Sequence, residues 1–238
     1  MSSVLFISDL HLDTARPAVI RAFAEFLALH SHCDALYILG DLFEAWIGDD
    51  DDSALAEQVK GLLQKFTTAG PELFIMQGNR DFLLGHDFCD AVGATLLPDP
   101  SVIDLFGEPT LLMHGDSLCT LDQDYQQLRT TIRNPQWQAQ LLGQDRDQRR
   151  TLARQLRGMS KEANSNKAQD IMDVTPAEVD KVMQTFGVRQ LIHGHTHRPA
   201  QHTGTAGTRW VLGDWDTTGW LIESSPGNMQ LNNFIIKQ

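Results

Sequence analysis

Val4-Leu-Phe-Ile-Ser-Asp-Leu-His-Leu12 decides the fold: an apolar, partly β-branched run ends abruptly in a carboxylate and an imidazole. The pattern recurs. Ala35-Leu-Tyr-Ile-Leu39 leads into Gly40-Asp41, Leu73-Phe-Ile-Met76 into Gly78-Asn79-Arg80-Asp81, and Leu111-Leu-Met113 into His114-Gly115-Asp116. Val188 to Ile192 leads less cleanly into Gly194-His195-Thr196-His197. Such runs read as buried strands, and ligands at their ends stand along one edge of a sheet.

Asp9, His11, Asp41, Asn79, His114, His195 and His197 are oxygen and imidazole donors, with no thiolate among them. That set suits Mn²⁺, Fe or Zn²⁺ rather than a Cys-rich structural zinc. It reads as a two-metal hydrolytic site. Two divalent ions about 3.5–4 Å apart need a bridging carboxylate to offset their repulsion. Asp41, at a strand end, is the natural bridge. Asp9, His11 and His197 would complete one ion, and Asn79, His114 and His195 the other. A metal-bound water, its pKa lowered from about 15.7 to about 7, would attack a phosphoryl group held by the same ions.

The ordered series D-x-H, G-D, G-N-x-D, H-G-D and G-H-T-H spans positions 9 to 197 and resembles the calcineurin-like metallophosphoesterase superfamily. One position departs from that pattern. Most members carry histidine after the asparagine, against the phosphoryl group or leaving oxygen, where this chain has Arg80. Arginine is no general acid near neutral pH, yet it makes bidentate, charge-assisted bonds to phosphate. The exchange fits a phosphoanhydride, whose leaving group is itself a stable phosphate.

Gly-Asn-Arg-Asp, Ser8-Asp-Leu-His-Leu12 and the segment Gly158 to Lys167 together resemble one subfamily, the UDP-2,3-diacylglucosamine pyrophosphatases of lipid A biosynthesis. The resemblance implies an α/β, four-layer αββα sandwich with a helical lid, and two Mn²⁺ ions per chain. It implies hydrolysis to UMP and 2,3-diacylglucosamine 1-phosphate by attack on the α-phosphate. The place of work would be the cytoplasmic face of the Gram-negative inner membrane, as a peripheral protein. Asn79, Arg80, Asp122, Ser160, Asn164, Lys167 and His195 would bind substrate, and Arg80 and Asp41 would act with the metal-bound water.

From Leu121 to about Met172, Gln, Arg, Leu and Ala replace β-branched alternation, which is helical composition. Asn134-Pro135 starts a helix well. This stretch would be a lid inserted in a single domain, 1–238, without internal repeat or linker. Ser160, Asn164 and Lys167 recur at i, i+4 and i+7, giving one helical face a hydroxyl, an amide and an ammonium. A ligand face and a solvated face are equal readings of that trio. Acyl chains need apolar surface, with Trp46, Ile47, Phe82, Leu83 and Leu84 as candidates beside the metal motifs. Leu152, Leu156, Met159, Ile171 and Met172 are candidates on the lid; plain packing of lid on core is the alternative.

The formal net charge is −12, yet residues 129–167 carry nine Lys or Arg against three Asp or Glu. Arg146, Arg149, Arg150, Arg154, Arg157 and Lys161 would attract anionic headgroups at about 1 kcal/mol per residue near a surface. Nucleic acid is the competing ligand, and a solvated face the plain alternative. The expected partners are the nucleotide-sugar lipid and an anionic membrane surface, with no nucleic acid and no obligate protein partner.

No apolar run is long enough to span a bilayer, and a strand begins too early for a secretory signal. Cys33, Cys89 and Cys119 are odd in number and scattered, as reduced cytoplasmic thiols are. The acidic run Asp49 to Asp52 is expected to begin a helix. His193 is expected to be structural or to support a ligand from behind, and Asp81 and Asp116 to orient ligand imidazoles or Arg80. After His197, short alternating segments at 210–212, 219–222 and 229–231 suggest antiparallel strands. Other readings are a phosphodiesterase or nuclease, and a metal-poor scaffold that would have no need of seven intact ligands.

Overall fold

In a computed structural model, which describes residues 2–165 and 171–238 (the backbone alone for 159–165), the apolar runs form strands in two sheets. The chain begins β1 (Val4–Ile7), α1 (Pro17–Leu29), β2 (Ala35–Leu39), α2 (Ala54–Thr68), β3 (Glu72–Met76), α3 (His86–Val92), β4 (Ala94–Leu97). Next come β5 (Ser101–Leu105), β6 (Glu108–Met113) and three helices, α4 (Gln123–Ile132), α5 (Pro135–Leu142) and α6 (Arg146–Ser165). It ends with α7 (Pro176–Phe186), β7 (Gln190–His193), β8 (Ala200–Thr203), β9 (Thr208–Val211), β10 (Thr218–Ser225) and β11 (Asn228–Ile235).

One sheet has the order β11-β10-β1-β2-β3-β4 and the other β5-β6-β7-β9-β8. Period-two alternation sorts the side chains into layers. Leu5, Ile7, Leu36, Ile38, Leu73 and Ile75 face Phe23, Val59 and Leu63 of the first helices. Their alternates Phe6, Leu39 and Met76 meet Leu112 and Ile192 between the sheets. Leu111, Met113 and Leu191 face Val179 and Met183 of α7. The result is helix, sheet, sheet, helix: the four-layer αββα sandwich. Burying strands on both faces explains why their sequences are continuous apolar runs.

β1, β2 and β3 are parallel, as are β6 and β7, so the loops that follow them emerge at one edge. The C-terminal strands divide. β8 and β9 form an antiparallel pair, but β9 also runs parallel to β7. β10 and β11 return to the first sheet as an antiparallel hairpin against β1. Alternation alone carries no information about which sheet receives a strand.

Among the described residues after Leu121, Gln123–Ile132, Pro135–Leu142 and Arg146–Ser165 are helical, as composition predicts. Asn134 Oδ1 accepts from the backbone N–H of Gln136 (2.9 Å) and Trp137 (3.1 Å), capping α5. Ile132, Trp137, Leu141 and Leu152 pack on the first core.

The acidic run behaves otherwise than expected. Ser53 caps α2, accepting from Ala56 N at 3.2 Å. Asp49 instead accepts from Gly85 N (2.9 Å) and Phe88 N (3.0 Å) at the start of α3. Asp50, Asp51 and Asp52 clasp α6: Arg149 donates to Asp50 Oδ1 at 2.7 Å and to Ile47 O at 2.6 Å. Arg146 pairs with Asp52 at 2.7 Å and Arg150 with Asp51 at 3.2 Å. Arg157 pairs with Glu44. Four of the six basic side chains expected to meet headgroups are therefore paired with acids of the same chain. Among the described residues, no helix is long and apolar enough to cross a membrane.

Candidate active site

The loops at the shared edge turn sharply. Asp9, His11, Asp41, His195 and His197 all have positive φ, between 48° and 66°. Non-glycine residues adopt that region rarely, and at a cost that clusters at functional sites. Close backbone approach accompanies these turns: a Cβ at Gly78 would overlap Asp41 Oδ1, and one at Gly194 would overlap Asp9 Oδ2.

These turns aim the side chains inward in two groups. In the first, His11 Nε2 lies 3.3 Å from His197 Nε2, and His197 Nε2 lies 3.4 Å from Asp9 Oδ1. In the second, Asn79 Oδ1 is 3.0 Å from His114 Nε2 and 3.0 Å from His195 Nδ1. Asp41 joins them, its Oδ2 standing 3.8 Å from Nε2 of both His11 and His114.

The remaining atoms of these groups are tied down. Asp9 Oδ2 accepts from Ser8 Oγ and from His195 N (2.9 Å), while buried Oδ1 lacks a hydrogen bond among the described residues. Asp41 Oδ1 accepts from Arg80 N at 2.8 Å. His114 Nδ1 contacts Leu39 O at 2.9 Å, which leaves Nε2 for the centre. Oxygen and imidazole donors converge with one carboxylate oxygen unanswered among the described residues, so these residues fit divalent-cation binding.

The electrostatics agree. Burial alone would raise the Asp9 carboxyl, but His197, His114 and His11 hold it well below the usual carboxylate range. Burial would likewise lower His114, yet Asp41, Asp116 and Asp9 outweigh it and push the imidazole up to about 9. A field that holds a proton on a buried imidazole is one that favours a cation there, and binding the ion displaces the proton. Burial, then His114, lowers His195 to about 4.

A family profile described as Calcineurin-like phosphoesterase matches residues 2–199. The chain belongs to the calcineurin-like phosphoesterase family. Over 239 residues it is 54% identical to a Cellvibrio japonicus protein named UDP-2,3-diacylglucosamine hydrolase, covering 98% of this chain and 100% of that one. A Pseudomonas aeruginosa protein of the same name is 54% identical over 226 residues, covering 93% and 94%. The structure of an archaeal phosphodiesterase superposes with a TM-score of 0.51 over 98% of this chain and 99% of that one, at 10% identity, which shows a common fold alone. The phosphoesterase is a metal-dependent hydrolase.

Two hollows open at the phosphoesterase's inward-facing edge. A polar cleft of about 240 Å³ is lined by His11, Asp41, Asp122, His195, His197 and Met172, among others. An apolar cavity of about 80 Å³ lies between Trp46, Ile47, Phe82 and Leu83 of the core and Leu152 and Leu156 of α6. Asn79, Arg80 and Tyr125 line both. Leu84 is buried in the core instead, and Met172 faces the polar cleft rather than the apolar one. Asp122 also caps α4, accepting from Tyr125 N at 3.1 Å. Ser160, Asn164 and Lys167, like Met159, have side chains outside the described residues.

Two carboxylates have roles other than those expected. Asp81 touches neither imidazole nor the Arg80 guanidinium in a hydrogen bond; it accepts backbone N–H groups of Gly78 (2.7 Å), Leu42 (2.8 Å) and Asp41 (3.2 Å), locking two loops together. Asp116 instead receives Tyr125 Oη at 2.7 Å and Arg129 Nε at 3.0 Å, anchoring α4. His193 is structural: its Nδ1 meets Gly194 O at 2.8 Å, Arg209 Nη1 lies 3.2 Å from Nε2, and burial with Arg209 lowers it to about 3.

Motif reading misses Tyr125, whose ring lies 5.6 Å from that of His195, and Arg133, which donates to Gln77 O and Gly78 O at 3.1 Å. It also misses Glu44, 3.1 Å from His11 Nδ1, and Asp214, 3.7 Å from His197 Nδ1. Each of the four acts on a residue that only the folded chain brings near, so spacing carried no signal for them.

Proposed function

We propose that this phosphoesterase hydrolyses the pyrophosphate of UDP-2,3-diacylglucosamine to UMP and 2,3-diacylglucosamine 1-phosphate, a step of lipid A biosynthesis, with two Mn²⁺ ions per chain. The observation that carries the reading is the junction at Arg80: a donor-lined polar cleft on one side, an apolar cavity on the other. A substrate with a charged diphosphate and greasy acyl chains needs both. The names of the full-length relatives supply its identity.

Asp9, His11 and His197 would hold one ion, Asn79, His114 and His195 the other, with Asp41 between them. When bound, the ions supply a water acidic enough to attack at neutral pH and neutralise charge on the phosphoryl oxygens. Arg80 would grip the diphosphate bidentately and orient the α-phosphorus. Arginine is no general acid near neutral pH, so the leaving sugar phosphate would depart without protonation by this residue. Asp122 and Tyr125, together with Ser160, Asn164 and Lys167, would hold the sugar and the uridine.

The acyl chains would enter between Trp46, Phe82 and Leu83 and the leucines of α6. The phosphoesterase would work at the cytoplasmic face of the inner membrane. Because Arg146, Arg149, Arg150 and Arg157 are paired internally, contact with the bilayer would draw on Leu121, Leu128 and Leu142, which are exposed on the helical segment.

Metal-stripped protein, given Mn²⁺ and UDP-2,3-diacylglucosamine, is expected to release UMP. Cleavage of bis(p-nitrophenyl) phosphate or single-stranded DNA in place of the nucleotide-sugar lipid contradicts the substrate and favours a phosphodiesterase.

A further inference from the structure

We propose that Glu44 is a positioning residue that aims the His11 imidazole at the metal centre and, through Arg157, ties that aim to the docking of α6. The inference rests on the two-metal reading above.

Backbone pairing fixes Glu44 beside His11. His11 N donates to Asp41 O at 2.9 Å, Leu12 N to Leu42 O at 2.9 Å, and Glu44 N to Leu12 O at 3.1 Å. Leu12 and Phe43 form a parallel bridge. The two loops thus run side by side, and Glu44 Oε2 stands 3.1 Å from His11 Nδ1, a buried nitrogen that has no aligned hydrogen bond among the described residues. The opposite ring nitrogen faces Asp41 Oδ2 and His197. A carboxylate behind an imidazole sets its tautomer and orientation and raises its basicity as a ligand.

His114 is held differently. Its Nδ1 meets a strand carbonyl, Leu39 O, which has no freedom to move. Glu44 is a side chain, about one-quarter exposed, and its Oε1 is paired with Arg157 from α6. Arg157 also lines the apolar cavity. A chain entering that cavity touches Arg157, which pairs with Glu44, which stands against His11. Occupancy of the cavity is therefore coupled to one ion of the pair, and by linkage that ion is coupled to the cavity.

The test is titration of metal-free protein with Mn²⁺, followed by the electron paramagnetic resonance of the free ion. The parent is expected to take up two ions. Glu44→Gln is expected to weaken one of them by about tenfold or more and leave the other within about twofold. Arg157→Ala should weaken the same ion by a smaller factor, and Arg157→Lys should restore it, with thermal midpoints close to the parent's throughout. A role in folding alone shifts the midpoint and leaves the affinities unchanged. Two ions bound by Glu44→Gln and Glu44→Ala with parental affinity overturn the relay while the metal site stands. Equal weakening of both ions also overturns it. A parent that takes up no Mn²⁺ overturns the two-metal reading and the relay with it.

Discussion

The backbone N–H of Arg80 donates to Asp41 Oδ1 at 2.8 Å, which turns the other oxygen, Oδ2, toward His11 and His114, 3.8 Å from each. One carboxylate thus spans both donor groups. Asp41→Ala is expected to reduce bound Mn²⁺ from two ions to one or none and to lower turnover by at least about 10³-fold, because the repulsion between ions is left uncompensated. Metal content after gel filtration, alongside steady-state rates, checks this. Two tightly held ions in the variant contradict the bridge.

Arg80 is expected to act on substrate alone. Arg80→Ala should lower kcat/KM by about 10²-fold, the loss of two charge-assisted bonds, with Mn²⁺ uptake unchanged. Arg80→Lys should recover only part, since an ammonium cannot bind bidentately. A change in metal uptake as large as the change in rate contradicts the assignment.

The apolar cavity predicts discrimination by acyl chain. Leu152→Ala and Leu156→Ala should raise KM for the diacylated substrate by about 3- to 10-fold, on the scale of one or two buried methylenes. Neither should alter hydrolysis of a UDP-sugar without acyl chains. Equal effects on both substrates would mean that these leucines only pack α6 on the core.

Asp99 predicts a pH dependence of stability. Burial, then the charge of Asp116, raises its carboxyl to about 6, and neither oxygen has a hydrogen bond among the described residues. Arg129 Nη2 lies 3.9 Å away. Between its unfolded value near 4 and about 6 the folded protein binds more protons than the unfolded chain, so this group's contribution falls as pH rises through that window. Asp99→Asn should therefore match the parent near pH 4 and exceed it above pH 6, by about 1–3 kcal/mol. Denaturant unfolding at both pH values checks the sign.

The donors of the site were legible because each ends an apolar run, and parallel strands carry those ends to one edge. Asp9, Asp41 and His114 are a strand-end problem, and the sequence answers it. Asn134-Pro135 likewise marks a helix start with local chemistry alone. Glu44, Tyr125 and Arg133 were not legible, since each works on a residue that only the folded chain brings near. The clasp between Asp50 and Arg149 joins positions 99 residues apart; in sequence they read separately, as a helix start and as a basic face for anionic headgroups. Leu83 and Leu84 show the same limit at closest range. Both pack in the core, yet Leu83 also lines the cavity and Leu84 does not.

The most direct measurement is hydrolysis of UDP-2,3-diacylglucosamine in H₂¹⁸O with added Mn²⁺, comparing the parent with Asp41→Ala. Label in UMP, dependent on Mn²⁺ and absent with the variant, is the expected result. Label in the sugar phosphate, or labelled UMP formed equally by Asp41→Ala, contradicts attack on the α-phosphorus at a centre joined by Asp41.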